Sequence, residues 1–335
     1  PMEENKYIIE IKDLRVEFKT ETGVVKALNG LDLQLERGKT LGLVGETGAG
    51  KTTAGLAMLR LIPDPPGKVT SGEIYFNGEN LFDKTENEME KIRGEQISMI
   101  FQDPMTALNP VFTVEDQIAE SISLHEDIAK HDAVEKARDM LELVGIPRER
   151  GKEYPHQFSG GMKQRVVIAI ALACSPSVLI ADEPTTALDV TIQAQVLDMM
   201  KSLKEKYKTS LLMITHDLGV VAEICDEVSV VYAGTVIEHG TLRDIYKHTR
   251  HPYTEGLFNS LPNLDHREEK LKPIKGMMPD PSNLPTGCAF CDRCDYAMPV
   301  CAKEKPEKCY RGDTHYVRCH LYDECGAEEG RLVRK

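Results

Sequence analysis

Apolar and polar residues alternate near the start of the chain. In Ile9-Glu10-Ile11, Leu14-Arg15-Val16-Glu17-Phe18 and Leu31-Asp32-Leu33-Gln34-Leu35-Glu36, roughly every second side chain is apolar. That two-residue period predicts half-buried antiparallel strands in an edge sheet. Leu41-Gly42-Leu43-Val44, Val178-Leu179-Ile180-Ala181 and Leu211-Leu212-Met213-Ile214 are instead short unbroken apolar runs. Such runs mark strands covered on both faces of a parallel α/β sheet. The pattern predicts a central β-sheet flanked by helices, with an antiparallel sheet beside it.

Between about 113 and 158 the strand pattern stops. Val114, Ile118 and Ile122 recur at four-residue intervals, followed by Ala137, Met140, Leu141 and Val144, which predicts an all-helical insertion. Prolines then accumulate at 252, 262, 273, 279, 281 and 285 and predict an extended connection. From it hangs a tail in which 48 residues hold seven of the nine cysteines. The 335 residues allow two to three domains by the usual size range. The net charge of -13 disfavours a general nucleic-acid coat or a polybasic membrane anchor. The longest apolar run, Val166 to Cys174, is far short of the roughly 20 residues of a membrane-spanning helix. Residues 1–6 have no basic stretch leading into an apolar core, so a secretory signal is not expected and the cytosol is. In a reducing compartment, clustered cysteines point to metal before disulfides.

Candidate chemistry begins at Gly45-Glu46-Thr47-Gly48-Ala49-Gly50-Lys51-Thr52, between a buried-strand pattern and the helical text that starts at Thr53. This is a P-loop in its strand-loop-helix context. Its glycines let backbone N–H groups turn toward phosphate oxygens, and the following helix presents its positive end to the same place. Lys51 is expected to neutralise the β and γ phosphates, and Thr52 to hold Mg²⁺. Asp182 and Glu183 close the buried run at 178–181. There Asp182 suits a water-mediated Mg²⁺ contact and Glu183 the polarisation of an attacking water.

Taken with Phe158-Ser159-Gly160-Gly161-Met162-Lys163-Gln164-Arg165, these segments make the chain resemble the nucleotide-binding subunits of ATP-binding cassette (ABC) transporters. The family's signature usually begins Leu-Ser-Gly-Gly-Gln. The departures at Phe158 and Met162 are typical of its oligopeptide and dipeptide importer branch. The resemblance implies an α/β P-loop NTPase with a RecA-like core sheet, an antiparallel β subdomain and an α-helical subdomain, plus a small metal-binding C-terminal extension. It places the nucleotide-binding domain at 7–260, with the helical part at about 103–160, and the extension at 261–335.

The resemblance also implies roles for single residues. Gln102 matches the loop glutamine that senses Mg²⁺ and water, His216 the switch histidine on the γ phosphate, and Asp189 the loop through which two cassettes touch. Phe18 sits where an aromatic ring stacks on adenine. Ser159, Gly160 and Gly161 cap the nucleotide of a partner cassette, since a helix N-terminus is a ready anion site. The implied partners are two transmembrane permease subunits, a second and homologous ATPase subunit, and an extracytoplasmic solute-binding protein. No nucleic acid is expected. The implied place is the cytoplasmic side of the cell membrane, peripherally bound.

In the tail, Cys288-x2-Cys291-x2-Cys294-x6-Cys301 opens like a ferredoxin run, but its last gap is too long. The resemblance selects Cys288, Cys294, Cys301 and Cys319 as ligands of a 4Fe-4S cluster. Four thiolates suit structural Zn²⁺ equally well. Cys291 could replace Cys288 or Cys294, Cys309 and Cys325 read as bystanders, and Cys174 and Cys225 as core thiols. The function implied is ATP hydrolysis that drives import of di- and oligopeptides. Nickel or another small solute is an alternative cargo, and a soluble ABC-type ATPase on ribosomes or DNA is an alternative of another class.

Overall fold

A computed structural model describes residues 5–186, 188–260 and 274–322. Two long strands, β1 (Tyr7–Thr20) and β2 (Gly23–Glu36), pair antiparallel, with Ile11 opposite Leu33 and Val16 opposite Leu28. The apolar alternation of β1 skips a beat between Ile11 and Leu14. The ladder shifts register there, and Asp13 adopts a left-handed φ of 42°, a bulge that keeps Leu14 and Val16 on the buried face. The chain next enters the core through β3 (Thr40–Val44) and α1 (Lys51–Met58). It returns to the antiparallel sheet as β4 (Gly67–Phe76), paired with β1, and the short β5 (Glu79–Asn80). Gly72 faces the bulge at a φ of 98°, where a Cβ would lie 2.5 Å from Leu14 Cα.

After α2 (Glu86–Ile92), β6 (Ile97–Ile100) leads into the helical region of α3 (Pro104–Ala107), α4 (Val114–His125) and α5 (Lys130–Leu143). Helix α4 buries Val114, Ile118 and Ile122, and α5 buries Ala137, Met140 and Leu141. Helix α6 (Gly160–Leu172) is apolar nearly all round because it lies between that region and the sheet. Then come β7 (Val178–Asp182), α7 (Val190–Tyr207), β8 (Ser210–Thr215), α8 (Leu218–Ile224), β9 (Glu227–Tyr232) and β10 (Thr235–Thr241). α9 (Leu242–Lys247) and α10 (Pro252–Asn259) follow, and the last strands are β11 (Cys309–Tyr310) and β12 (Tyr316–Val317).

The core sheet has the order β11-β12-β10-β9-β3-β8-β7-β6. Strands β9, β3, β8, β7 and β6 run parallel, whereas β10, β12 and β11 add antiparallel. Buried strands β3, β7 and β8 are the three unbroken apolar runs of the sequence. One apolar core fills the space between the antiparallel sheet, α1 and one face of the core sheet; a second lies under α4–α8 on the other face.

Two expectations are corrected. Pro252 does not belong to an extended connection: it opens α10, whose first turn buries Pro252, Tyr253 and Thr254, because proline at a helix start needs no N–H partner. Residues 261–273, with Pro262 and Pro273, lie outside the described residues, and 274–287 carry neither helix nor strand. Nor does the tail hang free. β12 pairs with β10, Val317 against Glu238 and Tyr316 against His239. Lys308 and Arg318 both reach Asp32 on β2, at 2.7 and 3.1 Å.

Candidate functional site

The loop after β3 bends under β9 and β2. At Gly45 a Cβ would stand 2.3 Å from the Val231 carbonyl oxygen, and Gly50, at φ 99°, would put one 2.6 Å from that of Ala27. Only glycine allows this path. Lys51 opens α1 and is buried, its Nζ donating to the carbonyls of Gly45 at 2.6 Å and Glu46 at 2.9 Å. Burial lowers its pKa, and the nearby Glu183, Asp182 and Glu46 carboxylates oppose that shift. Not every loop amide faces inward as expected. Glu46 N–H donates to Tyr253 Oη at 2.9 Å, and Ala49 N–H to the Glu46 carbonyl at 3.1 Å.

Three strand ends converge on this loop. From β7 come Asp182 and Glu183, from β8 His216, and from β6 Gln102. Thr52 hydrogen-bonds the Asp182 carboxylate, whose pKa burial raises further than the Thr52 bond lowers it, with Glu183 repulsion adding to the rise. Asp182 Oδ1 is buried without a hydrogen-bond partner. An orphaned carboxylate oxygen beside a hydroxyl and a lysine fits the outer shell of a Mg²⁺ ion.

Glu183 is the hub of the other half. Its Oε1 lies 2.8 Å from His216 Nδ1, while Oε2 accepts from Gln102 Nε2 and from Thr186 Oγ1, both at 3.0 Å. Burial pushes its carboxyl up, but the bonds from His216 and Thr186 and the charge of Lys51 outweigh that and leave it below the usual range. An ionised carboxylate follows. Its backbone sits at φ 47° and its N–H donates to Ile214 O at 2.8 Å. A left-handed non-glycine residue costs of order 1–3 kcal/mol and is held here by the strand ends on either side.

Ser159 N-caps α6, its Oγ accepting from Met162 N, and Gly160 faces open space. Gly161 lies against Ile192, which also donates its N–H to the capping carboxylate of Asp189 at the start of α7. Gly161, Ile192 and Asp189 thus adjoin one another at the starts of α6 and α7. Ala187, which with Leu188 and Asp189 resembles the loop through which two cassettes touch, lies outside the described residues. The departures at Phe158 and Met162 share a partner: the Arg150 guanidinium stands 4.6 Å from the Phe158 ring centroid and donates to Met162 Sδ at 3.3 Å. Phe18 is half-buried on β1, its ring lying over Gly67 of β4.

In the tail, Cys288, Cys291, Cys294, Cys301 and Cys319 line one small cavity of about 10 Å³ with Phe290, Tyr296 and His320. Gly287 brings two of these segments together, since a Cβ there would stand 2.1 Å from Cys301 O. Burial pushes the Cys294 thiol up to about 11 and that of Cys319 to about 12, and Cys288 and Cys301 add to both shifts. Among the described residues no group of three or more His, Cys, Asp or Glu stands arranged to hold a metal ion. The expected ligand shell is therefore gathered but not formed. Cys309 is disulfide-bonded, and Cys325 lies outside the described residues. Cys225 is buried with its thiol pushed up to about 12, and half-buried Cys174 is pushed up to about 11.

Several site residues carry no local signal in the sequence. Arg293, between two of the cysteines, forms a paired ion bridge to Glu46 in the P-loop at 2.7 and 3.0 Å. Buried Glu238 of β10 accepts from the amides of Arg250 and His251 and bonds His315 Nε2 of the tail at 3.0 Å. A lone acid facing a lone histidine far along the chain has no spacing that sequence reading can detect.

Residues 28–186 match the family model described as ABC transporter, and 237–301 that described as oligopeptide/dipeptide transporter, C-terminal region. The chain is 51% identical over 317 residues to the oligopeptide transport ATP-binding protein OppD of Bacillus subtilis (strain 168), covering 94% of this chain and 88% of that one. It is 49% identical over 319 residues to the dipeptide transport ATP-binding protein DppD of the same organism, covering 95% of each. Among solved structures, the cassette MJ0796 in a dimeric post-hydrolysis state bound to ADP and Pi superposes with a TM-score of 0.63 at 26% identity. That match covers 70% of this chain and 99% of the other.

Proposed function

The chain belongs to the ATP-binding proteins of ABC transporters, in the oligopeptide/dipeptide branch, and from that premise we propose that its ATP hydrolysis drives import of di- and oligopeptides. The observation that carries the cargo is that relatives named for oligopeptide and dipeptide transport match the chain across both the cassette and the cysteine tail.

The site residues then take these roles. The P-loop from Gly45 to Thr53 cradles the phosphates, and Lys51 exchanges its carbonyl partners for the β and γ phosphates. Thr52, Asp182 and Gln102 would hold Mg²⁺, which when bound screens the phosphate charge. Glu183, already ionised, accepts the proton of the attacking water as general base, while His216 fixes its orientation and bonds the γ phosphate. Gln102, joined to Glu183, links this chemistry to the helical region. Phe18 stacks on adenine. Ser159, Gly160, Gly161 and Asp189 meet the nucleotide and loop of a second, homologous cassette, which suits an open Gly160 at the capped start of α6.

No helix among the described residues is long and apolar enough to cross a membrane. The likeness to oligopeptide and dipeptide transport ATP-binding proteins supports two permease subunits that supply the pore and hold this subunit peripherally at the cytoplasmic face. Phe101, Val111, Phe112 and Leu124, exposed and apolar around the helical region, offer the docking surface. A solute-binding protein delivers the cargo from outside. In proteoliposomes holding the permeases, the partner ATPase and this chain, a tripeptide with its binding protein should stimulate ATP hydrolysis severalfold. Stimulation by nickel complexes alone would replace the peptide reading.

Cys288, Cys294, Cys301 and Cys319 are the ligands proposed for a 4Fe-4S cluster. The donors fit: four soft thiols gathered on one cavity, from which metal must expel the protons. The second reading is Zn²⁺, since four thiolates equally make a closed tetrahedral zinc shell. Anaerobically purified protein should be brown with about four irons per chain; colourless protein with one zinc selects the second reading.

A further inference from the structure

Glu46 is held from every side. Its amide donates to Tyr253 Oη at 2.9 Å, its carbonyl accepts from Lys51 Nζ at 2.9 Å, and both carboxylate oxygens accept from Arg293. Arg293 belongs to the cysteine module, on the turn between Cys291 and Cys294. Its side chain is 5% exposed. The guanidinium is fixed by three further contacts: Nε donates to Lys275 O at 2.8 Å, Nη1 reaches Tyr232 Oη at 3.3 Å, and the plane lies over the rings of Tyr232 and Phe290 at 5.8 and 5.9 Å. Tyr232, Tyr253 and Phe290 themselves pack ring on ring, with centroids 4.6 to 5.4 Å apart. The tail thus supplies one wall of the loop that binds phosphate.

We propose that Arg293 is a positioning residue for ATP: the cysteine module, through the Arg293–Glu46 bridge, fixes the P-loop and cancels the one carboxylate within it, and so sets the nucleotide affinity of the cassette. Two physical consequences are separable. A planar fork bonded to both carboxylate oxygens fixes the orientation of residue 46, and with it the carbonyl that Lys51 leaves when phosphate arrives. Without the guanidinium, the Glu46 carboxylate would face an incoming polyanion unscreened in a partly buried site. The inference rests on reading residues 45–52 as the nucleotide cradle and does not require any metal in the module.

The test uses the full chain and Mg-ATP titration. Arg293→Met should raise the Kd for ATP about tenfold, with turnover at saturating ATP within about twofold because Glu183, His216 and Gln102 are untouched. Arg293→Lys, which keeps the charge and loses the fork, should raise it about threefold, and it decides the matter if the methionine variant does not fold. Glu46→Gln removes the charge that needs cancelling. Arg293→Met combined with Glu46→Gln should bind ATP more tightly than Arg293→Met alone, because the unscreened carboxylate is gone, whereas general loosening of the tail would leave the double variant as weak as the single one. An unchanged Kd in both Arg293 variants, or a double variant that binds no more tightly than Arg293→Met, overturns the proposal. Lys51→Ala is the separate control: if it too leaves affinity unchanged, the cradle reading fails rather than the bridge.

Discussion

Around Glu183, polar side chains stand on the ends of three buried strands, each fixed by a sheet whose core positions are almost wholly apolar. Around Cys301 there are only short turns and two-residue strands, and the described apolar cluster proper to the module is Cys309, Val317, Cys319 and Tyr322 with Leu321 at its edge. The first site can tolerate a strained Glu183 backbone because the core supplies the stability. The second is held by borrowed contacts: charge to Asp32, a ladder to β10, a histidine to Glu238 and the fork onto Glu46. Chemistry at strand ends should therefore fail without unfolding, and changes at the module's fastenings should loosen it without stopping the chemistry.

The largest expected effect breaks the cleft alone. Glu183→Gln should lower ATP turnover by about 10²–10⁴ while leaving ATP binding and thermal stability in place, because only the proton acceptor is lost. Unimpaired turnover would remove Glu183 from the mechanism. Lys51→Ala comes next: losing a charged donor to phosphate should weaken ATP about 10- to 100-fold by equilibrium titration.

On the module side, Asp32→Asn breaks two bridges to Lys308 and Arg318 and should cost about 1 kcal/mol. Faster amide exchange confined to 305–318, with ATP turnover unchanged, is the expected readout. Exchange that rises throughout the cassette would erase the contrast between the two regions.

The smallest effect is a slope with pH. Burial pushes His251 and His239 down to about 4, against the attraction of Glu238 and Glu227 respectively. His251 is held neutral by geometry as well, since its Nδ1 accepts from Tyr253 N at 3.0 Å. The unfolded chain, with ordinary histidines, binds more protons between pH 6.5 and 4, so stability should fall as pH drops through that window. The thermal midpoint of His251→Asn should be lower at pH 7 and depend less on pH than that of the parent.

How far the sequence announces all this depends on distance along the chain. The alternation of β1, the apolar runs of β3, β7 and β8, the four-residue spacing of α4 and the P-loop are local patterns, and each appears where its period predicts. Asp182 and Glu183 are legible for the same reason, as carboxylates closing an apolar run, whereas His216 stands out only through the family resemblance. Arg293 and Glu238 are not, since the one bonds a residue 247 positions away and the other a histidine 77 positions away. Pro252 misleads because proline reads as a breaker, yet at a helix start its fixed φ favours the turn.

The pairing of β12 with β10 also bears on how the molecule is made. Synthesis completes β10 at Thr241, but its outer neighbour arrives only with Tyr316 and Val317. Until then the growing chain exposes a row of unpaired amides and carbonyls along an otherwise finished sheet, an invitation to pair with another copy. Translation that stops short of Tyr316 should yield aggregates even though every catalytic group is already present.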